Sequence, residues 1–91
     1  RKTAALQHPS AIAVDEKRGV VWIADAYNHK IRSLNMASNM LSTVPMTQAL
    51  GNPCALALDD ESLWIADSAS SQIHRYFIET EYLSRISIQM P

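Results

Sequence analysis

The chain has 91 residues, 47% hydrophobic and 19% charged, with a formal net charge of -1 at pH 7. That composition fits one small soluble domain, no apolar run nears the roughly 20 residues that cross a bilayer, and so small a charge gives no pull toward nucleic acid or an anionic membrane. The single cysteine, Cys54, excludes an internal disulfide and a multi-cysteine zinc site.

The chain starts Arg1-Lys2-Thr3, with neither an apolar leader nor an initiator Met, and is read as an excerpt or a trimmed chain. After Pro9, Ala11-Ile12-Ala13-Val14-Asp15 alternates alanine with Ile or Val, as a strand lined by small residues on one side does. Glu16-Lys17-Arg18-Gly19 is a turn. Val20-Val21-Trp22-Ile23-Ala24 is a continuous β-branched and aromatic run, which suits a strand covered on both faces. Asp25 follows, and Tyr27-Asn28-His29 breaks the pattern. Residues 31–34 form a more mixed strand, residues 35–39 a further break, and residues 40–44 a more polar strand.

The same series then returns. Leu50, Pro53, Ala55, Ala57 and Asp59 repeat Leu6, Pro9, Ala11, Ala13 and Asp15 at a distance of 44 residues. Two residues are then missing, and Trp64-Ile65-Ala66-Asp67 repeats Trp22-Ile23-Ala24-Asp25 letter for letter. Aligning 3–46 on 47–88 gives 14 identities in 42 positions, most of them in two clusters in the same order, which chance does not produce. The missing pair falls in a hairpin turn, where length changes cost little. The strands at 63–66, 73–78 and 82–88 complete the second set.

Two units of four short strands, at 1–46 and 47–91, have the size of two β-propeller blades. The expected fold is all-β, with two four-stranded antiparallel blades. The alanine-lined strand sits innermost, where blades converge. The Trp-bearing strand is sandwiched between blades, and the polar fourth strand lies at the outer edge.

These residues resemble the NHL-repeat family. The resemblance rests on Pro9-Ser10-Ala11-Ile12-Ala13-Val14-Asp15, Val21-Trp22-Ile23-Ala24-Asp25 and Asn28-His29-Lys30-Ile31, and in the second unit on Pro53, residues 55–59, residues 63–67 and Ile73. Ala11 and Ala55 stand where the family has glycine, and Ser70-Ser71-Gln72 replaces its Asn-His-basic turn. The resemblance implies a propeller of six blades, which two blades per chain would reach as a cyclic homotrimer or as part of a longer polypeptide.

The chemistry-bearing residues read mostly as structure. Asp15, Asp25, Asp59 and Asp67 end strands, where carboxylates accept turn amides. Trp22 and Trp64 are expected in the core, each worth roughly 3–5 kcal/mol on truncation. His8, His29 and His74 lack the spacing that pairs metal ligands, and none recurs between the units. Cys54 has no base in sequence reach and reads as a small buried residue. No catalytic residue, metal or cofactor is assigned. Lys17, Arg18, Lys30 and Arg32 in the first unit face a net acidic second unit and form no basic stripe, so RNA is not an expected partner.

Two loops stand apart. Tyr27, Asn28, His29 and Lys30 in the first unit, and Ser70, Ser71 and Gln72 in the second, share one rim and vary between copies on a constant scaffold. The function read from them is non-enzymatic binding of a protein or peptide, with homo-oligomers, a cyclic trimer above all, as the further partner. The alternative is a piece of a lactonase-like or lyase-like propeller enzyme, or of an NHL protein linked to a thioredoxin-like domain, with catalysis in other parts of the polypeptide. The compartment is left open, with the cytoplasm favoured.

Overall fold

A computed structural model describes residue 6 and residues 8–87 of the chain; residues 3–5, residue 7 and residue 88, on which the repeat alignment also draws, lie outside them. Eight strands follow in order: β1 (Pro9–Asp15), β2 (Val20–Asp25), β3 (Lys30–Asn35), β4 (Leu41–Thr43), β5 (Pro53–Leu58), β6 (Ser62–Asp67), β7 (Gln72–Phe77) and β8 (Tyr82–Ser87). They form two four-stranded antiparallel sheets, each a simple meander, β1-β2-β3-β4 and β5-β6-β7-β8. The protein is all-β, and each repeat is one propeller-type blade.

The repeat is geometrical as well as textual. Ile12 lies opposite Ile23 and Ile23 opposite Arg32; in the second blade Leu56 lies opposite Ile65 and Ile65 opposite His74. Both inner strands bulge at the residue after their proline, between Pro9 and Ala11 and between Pro53 and Ala55. Left-handed residues also recur where the letters differ. His29 (φ 60°) matches Ser71 (56°), and Asn39 (59°) matches Glu81 (57°). Turn geometry is thus more constant than turn sequence.

Strand alternation puts one face of each blade into a common core. Blade 1 contributes Ala11, Ala13, Trp22, Ala24 and Ile31; blade 2 answers with Leu56, Leu58, Leu63, Ile65 and Tyr76. Leu63 and Ile65 are completely buried, and each such side chain contributes about 1.5–3 kcal/mol relative to exposure. Trp22 meets Tyr76 edge to face, with ring centroids 6.4 Å apart. Val44 and Leu50, at the ends of the blade-to-blade connector, close the core from the rim side. The outer strand β4 is only three residues long and exposes Ser42 and Thr43, which keeps this edge from recruiting other strands.

Two expectations are corrected. Cys54 is exposed rather than buried, because the bulge after Pro53 takes it out of the inward alternation; its thiol reaches the Ala66 carbonyl at 3.6 Å. Trp64 is half-buried where Trp22 is buried. The two occupy the same register, but blade 2 lies over Trp22, while Trp64 sits on the face of blade 2 that points away from blade 1.

Candidate functional site

The rim loop of blade 1 is built by local chemistry. Ala26–Asn28 forms a single 3-10 turn, and His29 closes it in the left-handed region with its amide on the Ala26 carbonyl. The Asn28 amide group donates to Asp25 at 2.8 Å, and Arg32 Nε donates to the same oxygen at 2.9 Å. Asp25 is wholly buried, so a fixed charged pair supports the loop from below. Arg32 also donates to Thr43 Oγ1 on β4. Tyr27 is exposed but stacks on His8, with centroids 4.4 Å apart and planes 12° from parallel.

A groove of about 420 Å³ opens beside this loop. Asn28, His29 and Lys30 make one wall, Thr43, Val44 and residues 46–50 of the connector the other, and the buried Ile31 and Leu50 lie at its base. His29 Nδ1 bonds to the Gly51 carbonyl, which can only accept, so Nδ1 carries the hydrogen. That contact ties the two walls together at one end. Of the seven rim residues singled out in the sequence, Asn28, His29 and Lys30 line the groove. Tyr27 stands beside it, and Ser70, Ser71 and Gln72 belong to the separate turn of blade 2.

The blade 2 turn is fixed by Asp67. Its Oδ2 accepts the Gly51 amide at 2.8 Å, and its Oδ1 accepts the Asn52 amide at 2.8 Å and the Ala69 amide at 3.2 Å. Burial raises its pKa, but the Asn52 and Gly51 amides, the Ser70 side chain and the Ala69 amide outweigh that and hold it below the ordinary carboxylate value. Gly51 is pressed against this carboxylate. A Cβ there would lie 2.6 Å from the Ala69 methyl, so the connector needs glycine at this point.

At the opposite rim, Asp15 at the end of β1 and Asp59 directly after β5 hold their hairpin turns. Asp15 accepts the Arg18 amide, and Asp59 the Glu61 and Ser62 amides. Each also accepts the indole N–H of its blade's tryptophan, at 3.2 Å for Trp22 and 2.8 Å for Trp64. The Trp64 and Ser62 bonds hold the Asp59 carboxyl far below the usual range. A larger cavity of about 460 Å³ lies on this side, between Lys17, Arg18, Asp60, Glu61, Phe77 and Glu79. Its charges answer one another, and Arg18 is already held by Asp15 and by the Asp60 carbonyl. No group of three or more metal-ligating side chains occurs among the described residues.

The NHL repeat profile matches residues 6–32, which span β1, β2 and the first rim loop. The protein named NHL repeat-containing protein 2 from Gallus gallus is 30% identical over 103 aligned positions, covering 97% of this chain and 14% of the relative. Its namesakes from Bos taurus and Homo sapiens are each 30% identical, covering 89% and 93% of this chain. The chain belongs to the NHL-repeat family. It spans about 14% of the length of the curated relatives it matches. In NHL terms, Asn28 and His29 of the repeat's turn now have physical work: Asn28 braces the strand-end Asp25, and His29 anchors the connector of the next repeat. Arg32 and Gly51, equally involved, were not singled out from sequence. The sequence signal was the alignment of Arg32 with His74, each seven residues after its strand-end aspartate; Arg32 pairs closely with its aspartate, and His74 stands farther from its own.

Proposed function

We propose that this pair of NHL blades is a non-enzymatic binding scaffold, which holds a peptide or protein segment in the rim groove. The observation that carries it is the groove, with an apolar base of Ile31 and Leu50, polar walls of Asn28, Thr47 and Gln48, the exposed Lys30, and no carboxylate in its lining. That arrangement accepts an extended segment: an apolar side chain enters, the walls bond its backbone, and Lys30 selects an acidic neighbour. The strand-end carboxylates support a structural use of the acidic residues, since Asp15, Asp59 and Asp67 are occupied by turn amides and Asp25 by Asn28 and Arg32.

The test is selection from a random library of peptides about twelve residues long, followed by NMR titration of the tightest binder. Amide shifts are expected at Asn28, Lys30, Thr47 and Gln48, and Lys30→Glu is expected to weaken binding about tenfold, the equivalent of about 1.4 kcal/mol. Shifts centred on Lys17 and Glu79 at the other rim would refute the assignment.

A further inference from the structure

Among the described residues, His74 is the buried side chain whose polar atoms are left without partners: neither ring nitrogen makes a hydrogen bond, and the residue is 2% exposed. A buried polar group left unpaired costs stability that an apolar residue of the same size does not. The register sets His74 between Ile65 on β6 and Arg85 on β8, on the face of blade 2 that meets blade 1. Its Nε2 lies 3.8 Å from Asp67 Oδ2, about 1 Å beyond a charge-assisted hydrogen bond. That oxygen begins a path to the rim. Oδ2 accepts the Gly51 amide at 2.8 Å, and the Gly51 carbonyl accepts Nδ1–H of His29, the bond that joins the groove's two walls. Blade 1 has a permanent cation at the matching place, where Arg32 binds Asp25 at 2.9 Å.

We infer that His74 is a proton-operated latch on the rim groove: an imidazolium there draws Asp67 Oδ2 off the Gly51 amide and slackens the tie between the walls. Its use as regulation rests on the groove being a peptide site. The charged ring donates from both nitrogens, so Nε2 then carries a hydrogen toward a carboxylate within reach, and closing the gap moves that carboxylate away from the connector. The His29 bond itself survives, because Nδ1 carries a hydrogen in the charged ring as well. Burial opposes the proton on His74 most, Asp67 on β6 favours it, and Arg85 on β8 opposes it. Tyr76, on the same strand, is kept neutral by burial and by Glu81. Blade 1 brings Ala11, Ala13, Trp22, Ala24 and Ile31 to this core, the connector Val44 and Leu50, and β5 Leu56 and Leu58, none of them charged. The ring is therefore neutral at pH 7 and takes its proton below 6.5, with Asp67 ionised throughout that range.

The free 91-residue chain is measured first, by NMR between pH 7 and pH 5. The Gly51 amide proton is expected to move upfield as its hydrogen bond weakens, with the same midpoint as the ring protons of His74. A Gly51 amide that stays still while His74 titrates would overturn the latch, as would a His74 that takes up no proton before the chain unfolds. The tightest peptide from the random library is the second probe. It is expected to bind about fivefold more weakly at pH 5 than at pH 7, the low end of ordinary coupling between sites. By reciprocity, the bound peptide lowers the His74 midpoint by about 0.7 pH. His74→Phe is expected to lose the difference in affinity. His8 and His29 are present in both proteins, so an equal pH dependence in the two would overturn the link to the groove. The reciprocal change needs no variant, and a His74 midpoint unmoved by bound peptide would overturn the link equally. If no library peptide binds, the peptide reading of the groove fails alone, and the Gly51 titration still decides the latch.

Discussion

His74 Nε2 lies 3.8 Å from Asp67 Oδ2, at the positions where the first blade pairs Arg32 Nε with Asp25 Oδ2 at 2.9 Å. The two blades thus solve one problem differently. Each buries an aspartate at the end of its second strand. Blade 1 answers with a permanent cation, and blade 2 with three backbone amides, the Ser70 side chain and a histidine whose two ring nitrogens have no hydrogen-bond partner among the described residues. His74 is almost fully buried, and burial pushes its pKa below 6.5; Asp67 on β6 opposes that, and Arg85 on β8 adds to it.

A direction of pH dependence follows. The unfolded histidine takes up its proton near 6.5, while the folded one resists until a lower pH. Between those values the unfolded chain binds more protons, so stability is lost as pH falls below about 6.5. Asp67, Asp15 and Asp59, all held below the ordinary carboxylate value, add a second loss as pH falls below about 4. Urea midpoints at pH 7, 6 and 5 are expected to fall for the wild type and to stay nearly level for His74→Phe. Parallel curves for the two proteins would refute the role given to His74.

The two tryptophans separate by environment despite identical sequence context. Trp22→Ala empties a site covered by the neighbouring blade and is expected to cost about 3–5 kcal/mol. Trp64→Ala removes a half-exposed ring stacked with Arg75 and is expected to cost about 1–2 kcal/mol. Denaturant melts of both variants provide the comparison. Equal losses would mean that Trp64 is covered as fully as Trp22.

The fold was legible because it is written twice. The repetition of Ala-x-Ala, Trp-Ile-Ala-Asp and the closing Leu-Ser set the strands and their order, and the register of the two sheets agrees with the alignment residue by residue. The face each blade exposes was not legible, since identical letters at Trp22 and Trp64 carry no mark of which one has a neighbour. The groove was half legible. Asn28, His29 and Lys30 stood out as a variable polar turn, but the other wall is connector, and residues 46–50 have no strand or motif to announce them. Cys54 was misplaced because a one-residue bulge reverses the side an alternating pattern assigns.

Gly51→Ala is expected to destabilise by about 1–3 kcal/mol, the usual cost of forcing a methyl into filled space. Its Cβ would fall 2.6 Å from the Ala69 methyl and 3.2 Å from Asp67 Oδ1, so either the turn or the carboxylate must give way. Gly19→Ala is the useful contrast. Its φ of +68° strains any L-residue, yet nothing among the described residues lies within 4 Å of the added Cβ, so the loss is expected near 1 kcal/mol from backbone conformation alone. Thermal melts of the two variants distinguish crowding from conformational strain, and a smaller loss at Gly51 than at Gly19 would contradict the packing described.

Asp67→Asn tests whether the strand-end carboxylate is a fastening or a ligand site. Both of its oxygens accept amide hydrogens, Oδ2 from Gly51 and Oδ1 from Asn52 and Ala69. Asparagine keeps one acceptor and turns the other into a donor, so an N–H must face an N–H in a buried place. A loss of about 2 kcal/mol is expected, within the range for an unsatisfied buried donor. The effect should also reach the rim. Gly51 bonds to Asp67 through its amide and to His29 through its carbonyl, so releasing the amide loosens a tie between the groove's walls. Amide exchange at Gly51 and Asn52 is expected to quicken in the variant, with smaller changes at His29. Added calcium or zinc is expected to leave the wild-type melt unmoved. A metal-dependent rise in melting temperature that disappears in Asp67→Asn would instead make this carboxylate a ligand.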